Sequence, residues 1–112
     1  MADAHVLDQL FETIEKRKAA FVQKSGDTTS RTHRLFEAGI PKISQKVGEE
    51  AVEAIIEAMR GDKSLLIEES ADLLFHLSVL WSASEIQAED VWKELDRRQN
   101  MTEAEERKSR KS

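Results

Sequence analysis

The stretch PKISQKVGEEAVEAIIEAMRGDKSLLIEESADLLFHLSVLWSAS, residues 41–84, decides the fold. Pro41 stands where a first helical turn tolerates a missing N–H, and Gly61-Asp62 breaks the pattern twenty residues later. Two long helices are predicted, Pro41–Arg60 and Leu65–Ser84, the second capped by Asp62 or Ser64. The second carries Leu66, Leu73, Leu74, Phe75, Leu77, Val79, Leu80 and Trp81 on several sides, so it should be the most buried helix.

Working outward, a first helix is expected from Ala4 to Gln23, with Asp3 as N-cap and an apolar stripe of Val6, Leu7, Leu10, Phe11 and Ile14. Gly26 and Asp27 end it. A short helix from Thr32 to Ala38 follows, closed by Gly39 in a left-handed conformation. Beyond the long pair, Ala88–Arg98 places Val91, Trp92 and Leu95 on one face. Residues 99–112 offer no apolar face to dock, which predicts a flexible tail or a solvated helical extension. The expectation is an all-α bundle of about five helices, one domain over residues 1–98. Four small helices cannot cover one that is apolar nearly all round, so completion by a homodimer is expected.

Composition narrows the function classes. Seventeen Lys and Arg against 22 Asp and Glu leave a net charge of −5, which argues against nucleic-acid binding through a basic surface. No cysteine is present, so disulfides, Cys-ligated zinc and a thiol nucleophile are excluded. No apolar run approaches the roughly 18 residues of a membrane span, and the N-terminus lacks a signal-peptide pattern. A soluble, cytoplasmic protein is expected.

The acids carry the chemistry. At about 100° per residue, Glu50, Glu53 and Glu57 fall on one side of their helix, with Glu49 beside them. On the next helix Glu69 and Asp72 are three apart, with His76 four further on. Solvated carboxylates usually have a nearby cation, as Glu12 has Lys16 and Glu89 has Lys93. Glu53, Glu69 and Asp72 have none at helical spacing. Carboxylates gathered at one seam repel, raise one another's pKa values and weaken the fold unless a cation joins them. Hard, oxygen-preferring Mg²⁺, or Mn²⁺, suits such a set, whereas a di-iron site would want Glu-x-x-His on two helices.

Glu49-Glu50-Ala51-Val52-Glu53, fifteen residues, then Glu69-Ser70-Ala71-Asp72 resembles the EExxE and ExxD pair of the MazG-like all-α nucleoside triphosphate pyrophosphatases. The surrounding words, Lys46 to Glu53, Glu68 to Leu77 and Ser30 to Gly39, resemble the signature blocks of the phosphoribosyl-ATP pyrophosphatase family, over about residues 5 to 98. Two positions depart from that pattern: Arg31 replaces an aromatic between Ser30 and Thr32, and Phe75 replaces a Tyr before His76. The chain lacks the length and cysteines of a fused cyclohydrolase partner, so the resemblance points to a stand-alone form, and it too implies a homodimer.

The resemblance implies hydrolysis of the α–β phosphoanhydride of phosphoribosyl-ATP in histidine biosynthesis. It implies a metal set of Glu50, Glu53, Glu69 and Asp72, with Glu49 as a further ligand, an anchor or the base. For the phosphates, Lys46, Lys42, Arg34 and Arg31 are the candidate cations, although Lys46 could instead pair with Glu49 or Glu50. Ser30 and Thr32 could donate to phosphate or cap the short helix. His76 is expected to support the acids or to play a structural part. Trp81 and Trp92 read as core or interface aromatics, and Gly48 in mid-helix suggests close approach of a neighbouring helix or the substrate. A house-cleaning (d)NTP pyrophosphatase is the alternative that the acid motif alone allows, and a non-enzymatic helical module is the bland one.

Overall fold

The structure, a computed structural model, describes residues 5–110 and contains six helices in that span: α1 (His5–Val22), α2 (Arg31–Ala38), α3 (Ile40–Arg60), α4 (Lys63–Ala83), α5 (Ala88–Gln99) and α6 (Glu103–Ser109). Asp3 and Ala4, the expected cap and start of α1, lie outside the described residues. The all-α expectation holds, with one helix more than the sequence suggested.

Local chemistry sets the boundaries. Ser30 caps α2, its hydroxyl accepting from His33 N at 3.0 Å, and α2 begins one residue earlier than expected. Gly39 closes α2 and opens α3 in a single residue. Its φ of 89° with ψ of 177° is open to glycine but is not the αL conformation that the sequence suggested. Gly61 does adopt αL (φ 75°, ψ 18°), and Asp62 caps α4 by accepting from Leu65 N at 3.0 Å.

α3 and α4 form an antiparallel hairpin, with α1 and α2 packed against its open end. Ile14, Leu35, Phe36, Ile43 and Val79 form the buried cluster, flanked by Leu10, Phe21, Phe75, Leu80 and Ala83. Polar ties reinforce the α1–α4 contact: Lys18 Nζ donates to Ser82 O at 2.6 Å, and the buried Ser82 hydroxyl donates to Glu15. α5 returns to this body through aromatics. Trp92 meets Trp81 edge to face at 5.7 Å, Trp81 lies 6.5 Å from Phe11, and Trp92 Nε1 donates to Asp8 at 3.2 Å.

α4 is not covered throughout. His76, Ser78, Val79 and Ser82 in its C-terminal half are buried, but Ile67 is 69% exposed and Leu74 is exposed as well. On α3, Val52, Ile55, Ile56 and Met59 line up at helical spacing and all face solvent, Met59 at 84%. The radius of gyration, 16.1 Å, exceeds the roughly 13 Å of a compact chain this long. The surface of 8243 Å² likewise exceeds the roughly 6,300 Å² expected of a 12.8 kDa monomer.

The segment after Gln99 is helical where a flexible tail was one of two expectations. Thr102 and Glu105 cap α6 reciprocally, at 3.1 and 3.0 Å. Glu106, nearly buried, pairs with Arg98 of α5 at 3.3 Å and with Arg110. Charge rather than an apolar stripe attaches this helix, so hydrophobic periodicity carried no sign of it.

Candidate active site

The α3–α4 hairpin turns the two acidic stripes toward one another. Ligand oxygens of Glu50, Glu69 and Asp72 all lie within 4.8 Å of each other. Glu53, expected in the same set, is not among these three converging residues, but with Glu50 it crowds Glu69. That crowding, Glu53 first and then Glu50, pushes the Glu69 carboxyl from 4.5 up to about 7, with desolvation adding to it. Glu50 Oε2 and Glu69 Oε2 are buried and receive no hydrogen bond. Acceptor oxygens with no donor, converging on one point, are what a hard divalent cation satisfies. The residues present therefore fit such an ion.

Glu49 stands apart from this group. Gln45 Nε2 donates to it at 2.8 Å and Lys46 Nζ lies 3.6 Å away, so its carboxyl is held below its ordinary value, chiefly by the Gln45 bond. Of the two pairings open to Lys46 from the sequence, the structure shows the one with Glu49. Glu57, on the same stripe, pairs with Arg60 at 3.5 Å.

Beside the acids lies a cavity of about 480 Å³ lined by Arg31, Arg34, Lys42, Lys46 and His76, with Leu35 and Ala38. All four cations singled out in the sequence thus share one wall. Ser30 and Thr32 do not. Ser30 lines a smaller cavity of about 240 Å³ with Lys16, Arg17 and His33, and its hydroxyl caps α2. Thr32 is fully buried, and its hydroxyl accepts from Arg17 at 3.3 Å.

Arg31 joins the basic cavity to the acidic cluster. Its Nη2 lies 3.6 Å from Asp72 Oδ1 and 3.2 Å from His76 Nε2, and its guanidinium lies over the Phe75 ring at 4.6 Å. His76, 1% exposed, makes its other contact with the backbone carbonyl of Asp72, Nδ1 to O at 2.9 Å. A carbonyl only accepts and a guanidinium only donates, so the tautomer protonated at Nδ1 satisfies both. His76 thereby ties the backbone of Asp72 to the side chain of Arg31. Sequence reasoning placed Arg31 among phosphate contacts and did not find its pairing with Asp72, which nothing in helical spacing signals.

A family model for phosphoribosyl-ATP pyrophosphohydrolase matches residues 7–99. The chain belongs to that family. It is 48% identical over 109 residues to a phosphoribosyl-ATP pyrophosphatase of Azospirillum brasilense, covering 97% of this chain and 94% of that one. A protein of the same name from Paracoccus denitrificans (strain Pd 1222) is 48% identical over 105 residues, covering 94% and 93%. One from Parvibaculum lavamentivorans (strain DS-1 / DSM 13023 / NCIMB 13966) is 48% identical over 98 residues, covering 88% and 85%. The phosphoribosyl-ATP pyrophosphohydrolase match spans every acid of the cluster and all four cavity cations, and it stops before α6. Arg31 and Phe75, the two positions at which the sequence was expected to depart from the family's blocks, are in contact with each other.

Proposed function

We propose that this chain hydrolyses the α–β phosphoanhydride of phosphoribosyl-ATP, releasing pyrophosphate and phosphoribosyl-AMP, the second step of histidine biosynthesis. Family membership supports the substrate. The observation that carries the chemistry is the junction of a donor-starved carboxylate cluster with a basic cavity. Glu50, Glu69 and Asp72, with Glu53 beside them, would hold a divalent cation, Mg²⁺ in the first instance and Mn²⁺ as a substitute. When bound, that ion offsets charge developing on the phosphates and increases the acidity of a nearby water.

The chain's own residues do the rest. Lys42, Lys46, Arg34 and Arg31 receive the polyphosphate in the basic cavity, where fixed charges cost little reorganisation as the leaving pyrophosphate gains charge. Ser30 and Thr32 contribute by holding α2, and so Arg31 and Arg34, in place. A carboxylate of the cluster within reach of the attacking water accepts its proton. Glu49 restrains Lys46 at the edge of the cavity. His76 fixes the backbone of Asp72 from behind.

A homodimer completes the fold in this reading. Support comes from the solvent-facing Val52, Ile55, Ile56 and Met59 of α3, Ile67 and Leu74 of α4, and the excess of surface over that of a compact monomer. No described helix is long and apolar enough to cross a membrane. A cysteine-free chain acting on a free nucleotide fits the reducing cytoplasm.

Pyrophosphate release from phosphoribosyl-ATP, measured with and without Mg²⁺ beside a panel of dNTPs, tests the proposal. Mg²⁺-dependent release from phosphoribosyl-ATP, with the dNTPs turned over poorly, is expected. Preference for dCTP or dUTP would move the site to the house-cleaning branch.

A further inference from the structure

Arg31 has three partners and each constrains it differently. The Phe75 ring supports the flat face of the guanidinium at 4.6 Å, leaving its edge free to exchange partners. His76 Nε2 accepts from Nη2 at 3.2 Å and, being buried and tied to Asp72 O, is a fixed point. Asp72 is the loose partner: Nη2 to Oδ1 is 3.6 Å, longer than a hydrogen bond, and both side chains are about half exposed.

Asp72 is also one of three carboxylates whose oxygens converge. It cannot serve a divalent cation fully while sharing its charge with a guanidinium. Arg31 and the cation compete for the charge of the same carboxylate. Arg31 also lines the cavity it shares with Arg34, Lys42 and Lys46. A guanidinium released from Asp72 therefore stays on its Phe75 platform and has phosphate as its next acceptor.

We propose that Arg31 is an exchangeable partner of Asp72, occupying that carboxylate until a divalent cation takes it and then turning to the polyphosphate, so that one side chain couples cation loading to phosphate capture. In this part Arg31 is a positioning residue, acting through Asp72. The inference rests on the cation-binding reading above. Its consequence is thermodynamic: what favours the cation favours the anion, and the reverse.

The test uses the full chain without nucleotide. Mn²⁺ binding is measured by titration calorimetry and by its electron paramagnetic resonance signal, in the wild type, Arg31→Gln and Asp72→Asn, with circular dichroism confirming the fold. Arg31→Gln is expected to bind Mn²⁺ about two- to fivefold more tightly, the scale of a half-exposed ion pair. A residue with a merely structural role would weaken binding when removed, so the sign decides. In the same variant, binding of inorganic pyrophosphate should lose most of the enhancement that Mn²⁺ gives the wild type. Unchanged or weaker Mn²⁺ binding in Arg31→Gln, while Asp72→Asn loses binding, would overturn this inference and leave the metal site standing. Equal Mn²⁺ binding by the wild type and Asp72→Asn would overturn both.

Discussion

Lys46 and Gln45 both reach the carboxylate of Glu49, at 3.6 and 2.8 Å, and so hold it along its own helix while its neighbour Glu50 joins Glu69 and Asp72. Adjacent glutamates on α3 therefore have different work. Glu50→Gln should weaken Mn²⁺ binding by at least about tenfold, the loss seen even for outer partners of metal ligands. Glu49→Gln removes only a surface pairing and should change Mn²⁺ binding and KM by less than about fivefold. Titration calorimetry with steady-state kinetics checks both, and equal losses would mean that Glu49 is a ligand.

The crowding at Glu69 predicts a pH dependence. Its folded-state value, about 7, lies above its ordinary 4.5, so between those limits the folded chain binds more protons than the unfolded one. This contribution is fully present below about 4.5 and is lost as pH rises toward 7. Glu94 runs the other way: Arg97 and Arg98 hold it down to about 2, and the stability it contributes is lost only as pH falls below 4.5. Thermal melts in EDTA between pH 5 and 7.5, taken for the wild type and Glu69→Gln together, isolate Glu69, because the histidines that also titrate in that range are common to both. The wild-type Tm should fall relative to that of the variant as pH rises, and Mg²⁺ should remove the difference. Equal pH slopes in the two proteins would contradict the crowding.

Ile55 tests the association of two chains. It is 61% exposed, so Ile55→Glu costs the single chain little, whereas at a buried dimer face it places a charge against apolar groups. Sedimentation equilibrium should show a dimer for the wild type and a monomer for the variant. Gly48 lies on the same stripe, four residues before Val52, and a Cβ built there meets nothing within 4 Å in this chain. Gly48→Ala should therefore stabilise the Ile55→Glu monomer by about 0.5–1 kcal/mol. If the dimer brings a partner helix against Gly48, the same change in the wild type should gain less. A wild type that sediments as a monomer ends this reading.

α6 is attached by Glu106 to Arg98 and lies beyond the family-matched span. Deleting residues 102–112 should leave pyrophosphate release unchanged and shift the melting temperature slightly, with the shift shrinking in high salt as ion pairs are screened. A large fall in activity on deletion would give α6 a part in the site.

Much of this was legible in the sequence because helices have one period and a few termination devices. Pro41, Gly61 and Asp62 bound the central hairpin where residue chemistry says they must. The 3.6-residue repeat alone puts Glu50 beside Glu53 and Glu69 beside Asp72, and the missing cations at helical spacing mark those acids as unusual. The family blocks then tie that pattern to a substrate class.

What period cannot supply is the relation between helices. Arg31 meets His76 across 45 positions, and Asp72 beside it, because α2 crosses α4 there, and the same crossing buries Thr32 beneath Arg17 while leaving Arg34 at the cavity. Whether Lys46 takes Glu49 or Glu50 depends on which carboxylate its neighbours have already engaged. α6 docks through charge, which leaves no hydrophobic trace to read. The sequence by itself determined the helices and which acids share a face, since both follow from local backbone geometry. Only the tertiary structure decided which carboxylates converge and which cation stands against them, because those distances are set by helix packing and side-chain reach across the chain.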